Sequence, residues 1–239
     1  MKRREFLTSI TALGVASSIP TLAQAEVVNG GQPWEPGKVQ TPLAPPKKGG
    51  LQYLTQHEFD TVGAIAERFI PADDMSISGK DAGCAIFIDR QLAGDYGNAV
   101  AVYRLGRFVK GTPEQGPQSP LTPAQRYRLG LAALDNATQK QYGKTFVALN
   151  GDQQDAVLQA MENNKLDLGE QVETKVFFEL LLQNVREGFL SDPIYGGNKE
   201  MASWKMIGFP GARYDFRDLL AKKGQKLNII PTSLIDNTL

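Results

Sequence analysis

TQHEFDTVGAIAERFIP, residues 55–71, is the stretch that sets the fold class. Thr55 followed three residues later by Glu58 is a capping box, in which each side chain satisfies the other's free backbone N–H at a helix start. Phe59, Val62, Ala66, Phe69 and Ile70 then recur at helical spacing, and Pro71 stops the run because it has no N–H to give. Two further starts downstream have the same logic. Thr122, Pro123 and Gln125 supply an N-cap, a first-position proline and a third-position amide, predicting a helix to about Tyr142. Gly151-Asp152 opens a shorter helix through Val157, Leu158 and Met161, and Val172, Val176, Phe177, Leu180, Leu181 and Asn184 mark a long amphipathic helix closing near Gly188.

Two more helices are expected, from Asp81 to Leu92 and over about 96–109, with a Pro/Gly loop across 111–120 between them and Thr122. No stretch alternates convincingly as a strand would. The chain therefore reads as all-α: a single compact helical domain of about six helices over 51–239. From Leu190 to Pro210 it becomes dense in Gly, Pro and aromatics, which predicts an irregular C-terminal segment.

The 239 residues carry 26 Lys and Arg against 26 Asp and Glu. That balance supplies no basic field, so nucleic acid is not an expected partner. One Cys, Cys84, excludes an intrachain disulfide, a Cys-based zinc site and a self-contained iron–sulfur cluster, and one His, His57, excludes His-pair metal sites.

Outward from the domain lies an address. Lys2, Arg3 and Arg4 precede Glu5, Phe6 and Leu7, a weakly apolar stretch runs from Ser9 to Leu22, and Ala23-Gln24-Ala25 ends it. This is the pattern of an export signal, and Arg3, Arg4, Phe6 and Leu7 resemble its twin-arginine form. The stretch is too short and polar to span a bilayer, which takes roughly 20 apolar residues. Cleavage after Ala25 would leave 214 residues with a net charge of −2. Residues 26–50 hold five Pro and five Gly and read as an extended linker.

The chemistry-bearing residues are few. No Gly-x-Gly-x-x-Gly turn announces a flavin or nicotinamide, and Cys-x-x-Cys-His for haem attachment is impossible with one Cys. His57 in a first helical turn reads as a solvated residue rather than a catalytic base. Asp73-Asp74 reads as the polar face of a loop, and Cys84, in an apolar run, as a buried small hydrophobe. No catalytic, cofactor-binding or metal-binding residue is expected in this chain. The Asp-Pro and Gly-Gly-Asn turns of 192–198 could hold Tyr195, Trp204 and Phe209 for a partner, with Asn198 shaping the loop. The same glycines could equally serve only the turns themselves.

The run DPIYGGNKEMASWKMIGFPG, residues 192–211, resembles the signature of the small, or gamma, subunit of membrane-bound gluconate 2-dehydrogenase. RFIPADD (68–74), DAGCAIFIDRQLAGDYG (81–97) and FVALNGDQQDAVLQAMENN (146–164) resemble blocks of that family in its order, and the twin-arginine start fits it. The resemblance implies a periplasmic complex. A large FAD-containing flavoprotein subunit would oxidise gluconate to 2-keto-gluconate, and a multihaem cytochrome c subunit would pass electrons to quinone. The small subunit would carry the export signal to the twin-arginine translocation machinery, support the flavoprotein, and lie peripheral to the inner membrane through the complex. FAD and haem c are thus expected in partner subunits, with Tyr195, Asn198, Trp204 and Phe209 as partner-binding candidates. A related sugar or polyol dehydrogenase would use a similar subunit, and a free-standing periplasmic hydrolase is the reading from another class.

Overall fold

Three helices begin at reciprocal caps. The computed structural model describes residues 49–104, 106–109, 111–112, 115, 119–213 and 216–235. Arg3, Arg4, Phe6, Leu7 and the linker to residue 48 lie outside the described residues. Helix α1, Gln56–Phe69, starts with the Thr55 N–H donating to Glu58 Oε2 at 2.8 Å and the Glu58 N–H donating to Thr55 Oγ1 at 3.3 Å. It ends at Ile70, before Pro71. Helix α2 is Cys84–Ala93 and helix α3 is Pro123–Tyr142, the latter capped by Thr122 and Gln125 as its sequence predicts. Helix α4, Gly151–Glu162, has a third box, from Asn150 and Gln153. Helix α5 is Thr174–Leu190, and a short α6, Ala202–Ile207, lies inside the segment expected to be irregular. Six α-helices and no strand occur among the described residues, apart from an isolated parallel bridge between Gly211 and Thr232.

Two expectations are corrected. Helix α2 begins at Cys84, not Asp81, because 78–83 close on themselves: the Ala82 N–H donates to the Ser78 carbonyl at 2.8 Å, and Gly83 takes φ 82°. The helix expected over 96–109 is absent. Past Gly94 the chain makes successive turns, with Ala99 at φ 54°, and no described residue from 102 to 109 is helical. Val102, Tyr103, Phe108 and Val109 stay exposed. A helical apolar face is stable mainly through what it packs on, and this stretch finds no core to cover.

The core lies where α5 crosses α2 and α4, with α1 laid on α2 and α3 beside α5. Val62, Ile65, Ile88, Leu92, Leu181 and Val185 are fully buried there. Burial of side chains this size contributes roughly 1.5–3 kcal/mol each. Tyr127 meets Phe177 edge-on at 6.0 Å, and Phe69 meets Phe178 at 5.3 Å. One polar cluster sits inside: Asn184 Oδ1 accepts from the hydroxyls of Tyr127 at 2.9 Å and Tyr96 at 3.1 Å. Burial raises the pKa of both phenols, that of Tyr127 furthest, so they remain donors.

Candidate functional site

The segment 191–211 is a run of tight turns pinned on α2 and α5. Asp192 caps a 3-10 turn, Pro193–Tyr195, its Oδ1 accepting from the Ile194 N–H at 2.9 Å. Gly196 follows at φ 103°, where a side chain is strained, and Gly197 crosses α5 so closely that a Cβ would lie 2.0 Å from the Gly188 carbonyl oxygen. The Lys199 N–H donates to the Ala82 carbonyl at 3.0 Å. The Asp-Pro-x-Tyr-Gly-Gly-Asn block and the Lys199 that follows it thus pack on the Asp-Ala-Gly-Cys block more than 110 residues upstream, so two of the sequence runs that share the family resemblance form one contact.

The four partner candidates divide by orientation. Asn198 is wholly buried at φ 47°. Its Nδ2 donates to the Ser191 carbonyl at 2.8 Å, and its Oδ1 accepts from the Ser203 N–H and hydroxyl at 3.0 and 2.8 Å. Trp204 is 5% exposed, its Nε1–H donating to the Leu190 carbonyl at 2.8 Å. These two hold the segment together. Tyr195 is 50% exposed and Phe209 44% exposed, the latter packed edge-on against Trp204 at 5.1 Å. What they present outward is aromatic area on a backbone already fixed from within.

A strap from the C-terminal part closes over this segment. Asp192 also accepts from the Ser233 hydroxyl at 2.7 Å and the Leu234 N–H at 3.0 Å, while the Ala212 N–H donates to the Thr232 carbonyl at 2.7 Å. Sequence reasoning did not find this role for Asp192, because its partners lie more than 40 residues away with no local pattern. It also missed Asp89, which is 3% exposed and accepts from the backbone N–H groups of Gln52, Tyr53 and Leu54 at 2.7–2.9 Å. A signal for Asp89 existed: it is an acid on the apolar stripe of Ala85, Ile88 and Leu92.

Elsewhere the chemistry is sparse. His57 Nε2 lies 2.5 Å from Asp135 Oδ2 with its ring half exposed, and Asp135 Oδ1 accepts from the Phe146 N–H at 3.0 Å. The pair ties α1 to α3. Asp73 accepts from the N–H groups of Met75 and Ser76 in an exposed loop, as a turn-forming side chain does. Cys84 is buried, and desolvation pushes its thiol up to about 12, so at neutral pH it is a protonated hydrophobe and not a nucleophile. Among the described residues no group of three or more His, Cys, Asp and Glu is placed to hold a metal ion, and no helix is long and apolar enough to cross a membrane. The family model described as Gluconate 2-dehydrogenase subunit 3 matches residues 56–211, from the first residue of α1 to the glycine that bridges to Thr232. No curated protein and no solved structure matches the chain.

Proposed function

The chain belongs to the gluconate 2-dehydrogenase subunit 3 family, and on that premise we propose that it is the accessory small subunit of a periplasmic, membrane-bound, FAD-dependent gluconate 2-dehydrogenase. Its task is to carry the flavoprotein subunit through twin-arginine export, by way of Arg3, Arg4, Phe6 and Leu7, and to stabilise it afterwards. FAD and haem c reside in the flavoprotein and cytochrome c subunits, where gluconate becomes 2-keto-gluconate and electrons leave for quinone. The observation that carries this reading is the exposure of Tyr195 and Phe209 on turns held rigid by Asn198 and Trp204. Exposed aromatics on a preorganised backbone lose little freedom on binding, and such residues dominate interface energetics.

The test is to express the flavoprotein subunit with and without this chain and to assay periplasmic dye-linked oxidation of gluconate. Activity is expected only with the chain present. Equal periplasmic activity in its absence would remove both the export and the stabilising role. Parallel assays on glucose and polyols assign the substrate.

A further inference from the structure

Residues 99–109 are the run of this chain whose side chains the fold leaves unused. The molecule has equal numbers of acids and bases, yet no acid occurs between Asp95 and Glu114, while Arg104, Arg107 and Lys110 all fall there. The same run is rich in apolar side chains, and every described residue from 100 to 109 is exposed. Tyr103 is 83% exposed and Val109 74%, with Val100, Val102 and Phe108 exposed beside them. Val102, Tyr103, Phe108 and Val109 border one open depression together with Arg104 and Arg107, so the apolar and cationic groups share a surface. Single exposed apolar residues are ordinary, but a cluster of them marks a contact.

The loop stands on a fixed base. Gly97 packs on the end of α2 so closely that a Cβ would lie 1.9 Å from the Leu92 carbonyl oxygen, and its own carbonyl accepts from the Ala124 N–H at 3.1 Å. Further along, Arg104 donates to the Pro120 carbonyl at 2.5 Å. Neither Arg104 nor Arg107 has a carboxylate partner among the described residues. Both positive charges are therefore uncompensated, and they flank the apolar tips rather than lying on another face.

That pairing sets two demands on the occupant: apolar depth for Val102, Tyr103 and Val109, and a layer of negative charge for the guanidinium groups. A bilayer containing anionic lipid meets both at once, because its headgroup phosphates lie directly over its acyl chains. Tyrosine concentrates at that boundary, and arginine lays its stem among apolar groups while its head stays with the phosphates. We propose that the 99–109 loop contacts the surface of an anionic membrane directly. Tyr103 and its apolar neighbours enter the headgroup region, and Arg104 and Arg107 pair with lipid phosphate. Under the subunit reading the chain reaches the membrane only through the complex, so this contact goes beyond that reading and stands without it.

The test reads the loop itself, because residues 2–4 are also basic and a vesicle would attract them too. In the full-length chain, Ala101→Cys provides an exposed site for a polarity-sensitive fluorophore and keeps every apolar tip, Cys84 being buried. Vesicles of phosphatidylcholine with phosphatidylglycerol are expected to shift its emission to the blue, and vesicles of phosphatidylcholine alone to shift it much less. Adding Arg107→Glu or Tyr103→Ser, neither of which removes a hydrogen bond of the fold, should raise the lipid concentration needed at least about tenfold and leave the melting temperature unchanged. Raised salt should weaken the response as well. No blue shift with the anionic vesicles, an equal shift with phosphatidylcholine alone, or an equal shift in Arg107→Glu would each overturn the membrane contact. A shift produced by the flavoprotein subunit and not by vesicles would assign the loop to a protein interface and overturn the assigned occupant.

Discussion

Asn198 and Trp204 hold the 191–211 segment from within. Asn198 is held in the left-handed region that asparagine tolerates better than most side chains, and uses both ends of its amide, Nδ2 on Ser191 and Oδ1 on Ser203. Trp204 gives its indole N–H to Leu190 and packs in a T-shaped contact with Phe209. Truncating Trp204 to Ala should therefore cost about 3–5 kcal/mol of stability, as a large buried aromatic does. Phe209→Ala removes only half-exposed area and should leave the melting temperature within about 2 °C while weakening capture of the flavoprotein. Thermal melts beside co-purification measure both effects. A Phe209→Ala protein that melts low and still captures the flavoprotein would assign that ring to the fold rather than to the interface.

At the scale of elements, three of the six α-helices described, α1, α3 and α4, have starts written within four residues, whereas α2 and α5 begin without a side-chain cap. Thr55 with Glu58, Thr122 with Gln125 and Asn150 with Gln153 each close a box locally, with a cap worth about 1 kcal/mol. The segment 192–195 is held differently, since Asp192 caps its own 3-10 turn and simultaneously fastens residues 233–234. Asp192→Ala should release that strap. The expected result is faster hydrogen exchange at the Leu234 and Ala212 amides, with a loss of about 1–3 kcal/mol in global stability. Unchanged exchange at both amides would mean that the Gly211–Thr232 bridge alone holds the strap.

For the whole molecule, the decisive prediction concerns transport. Replacing Arg3 and Arg4 by Lys retains the charge and removes the paired guanidinium groups of the proposed twin-arginine signal. Both this chain and the flavoprotein are expected to stay in the cytoplasm, read by fractionation and dehydrogenase assay. An active flavoprotein in the periplasm of that strain would show that it travels on its own. By itself the sequence determined the helical class, the boundaries of α1 and α3 and the turns at Asp-Pro and Gly-Gly-Asn. Caps, proline stops and turn residues act over three or four positions, and their physics is complete within that window. The block 192–211 was legible as a signature, but its division into Asn198 and Trp204 facing inward and Tyr195 and Phe209 facing outward was not. Only the tertiary structure decided that, along with the grip of Asp192 on Ser233, the seat of Asp89 beneath residues 52–54 and the failure of 96–109 to become a helix. The grip of Asp192 and the seat of Asp89 depend on which surfaces meet across 35 or more residues, the division of 192–211 on how its turns pack back on the end of α5, and the missing helix on whether a surface exists to be met; burial is a property of the packed chain rather than of any window along it.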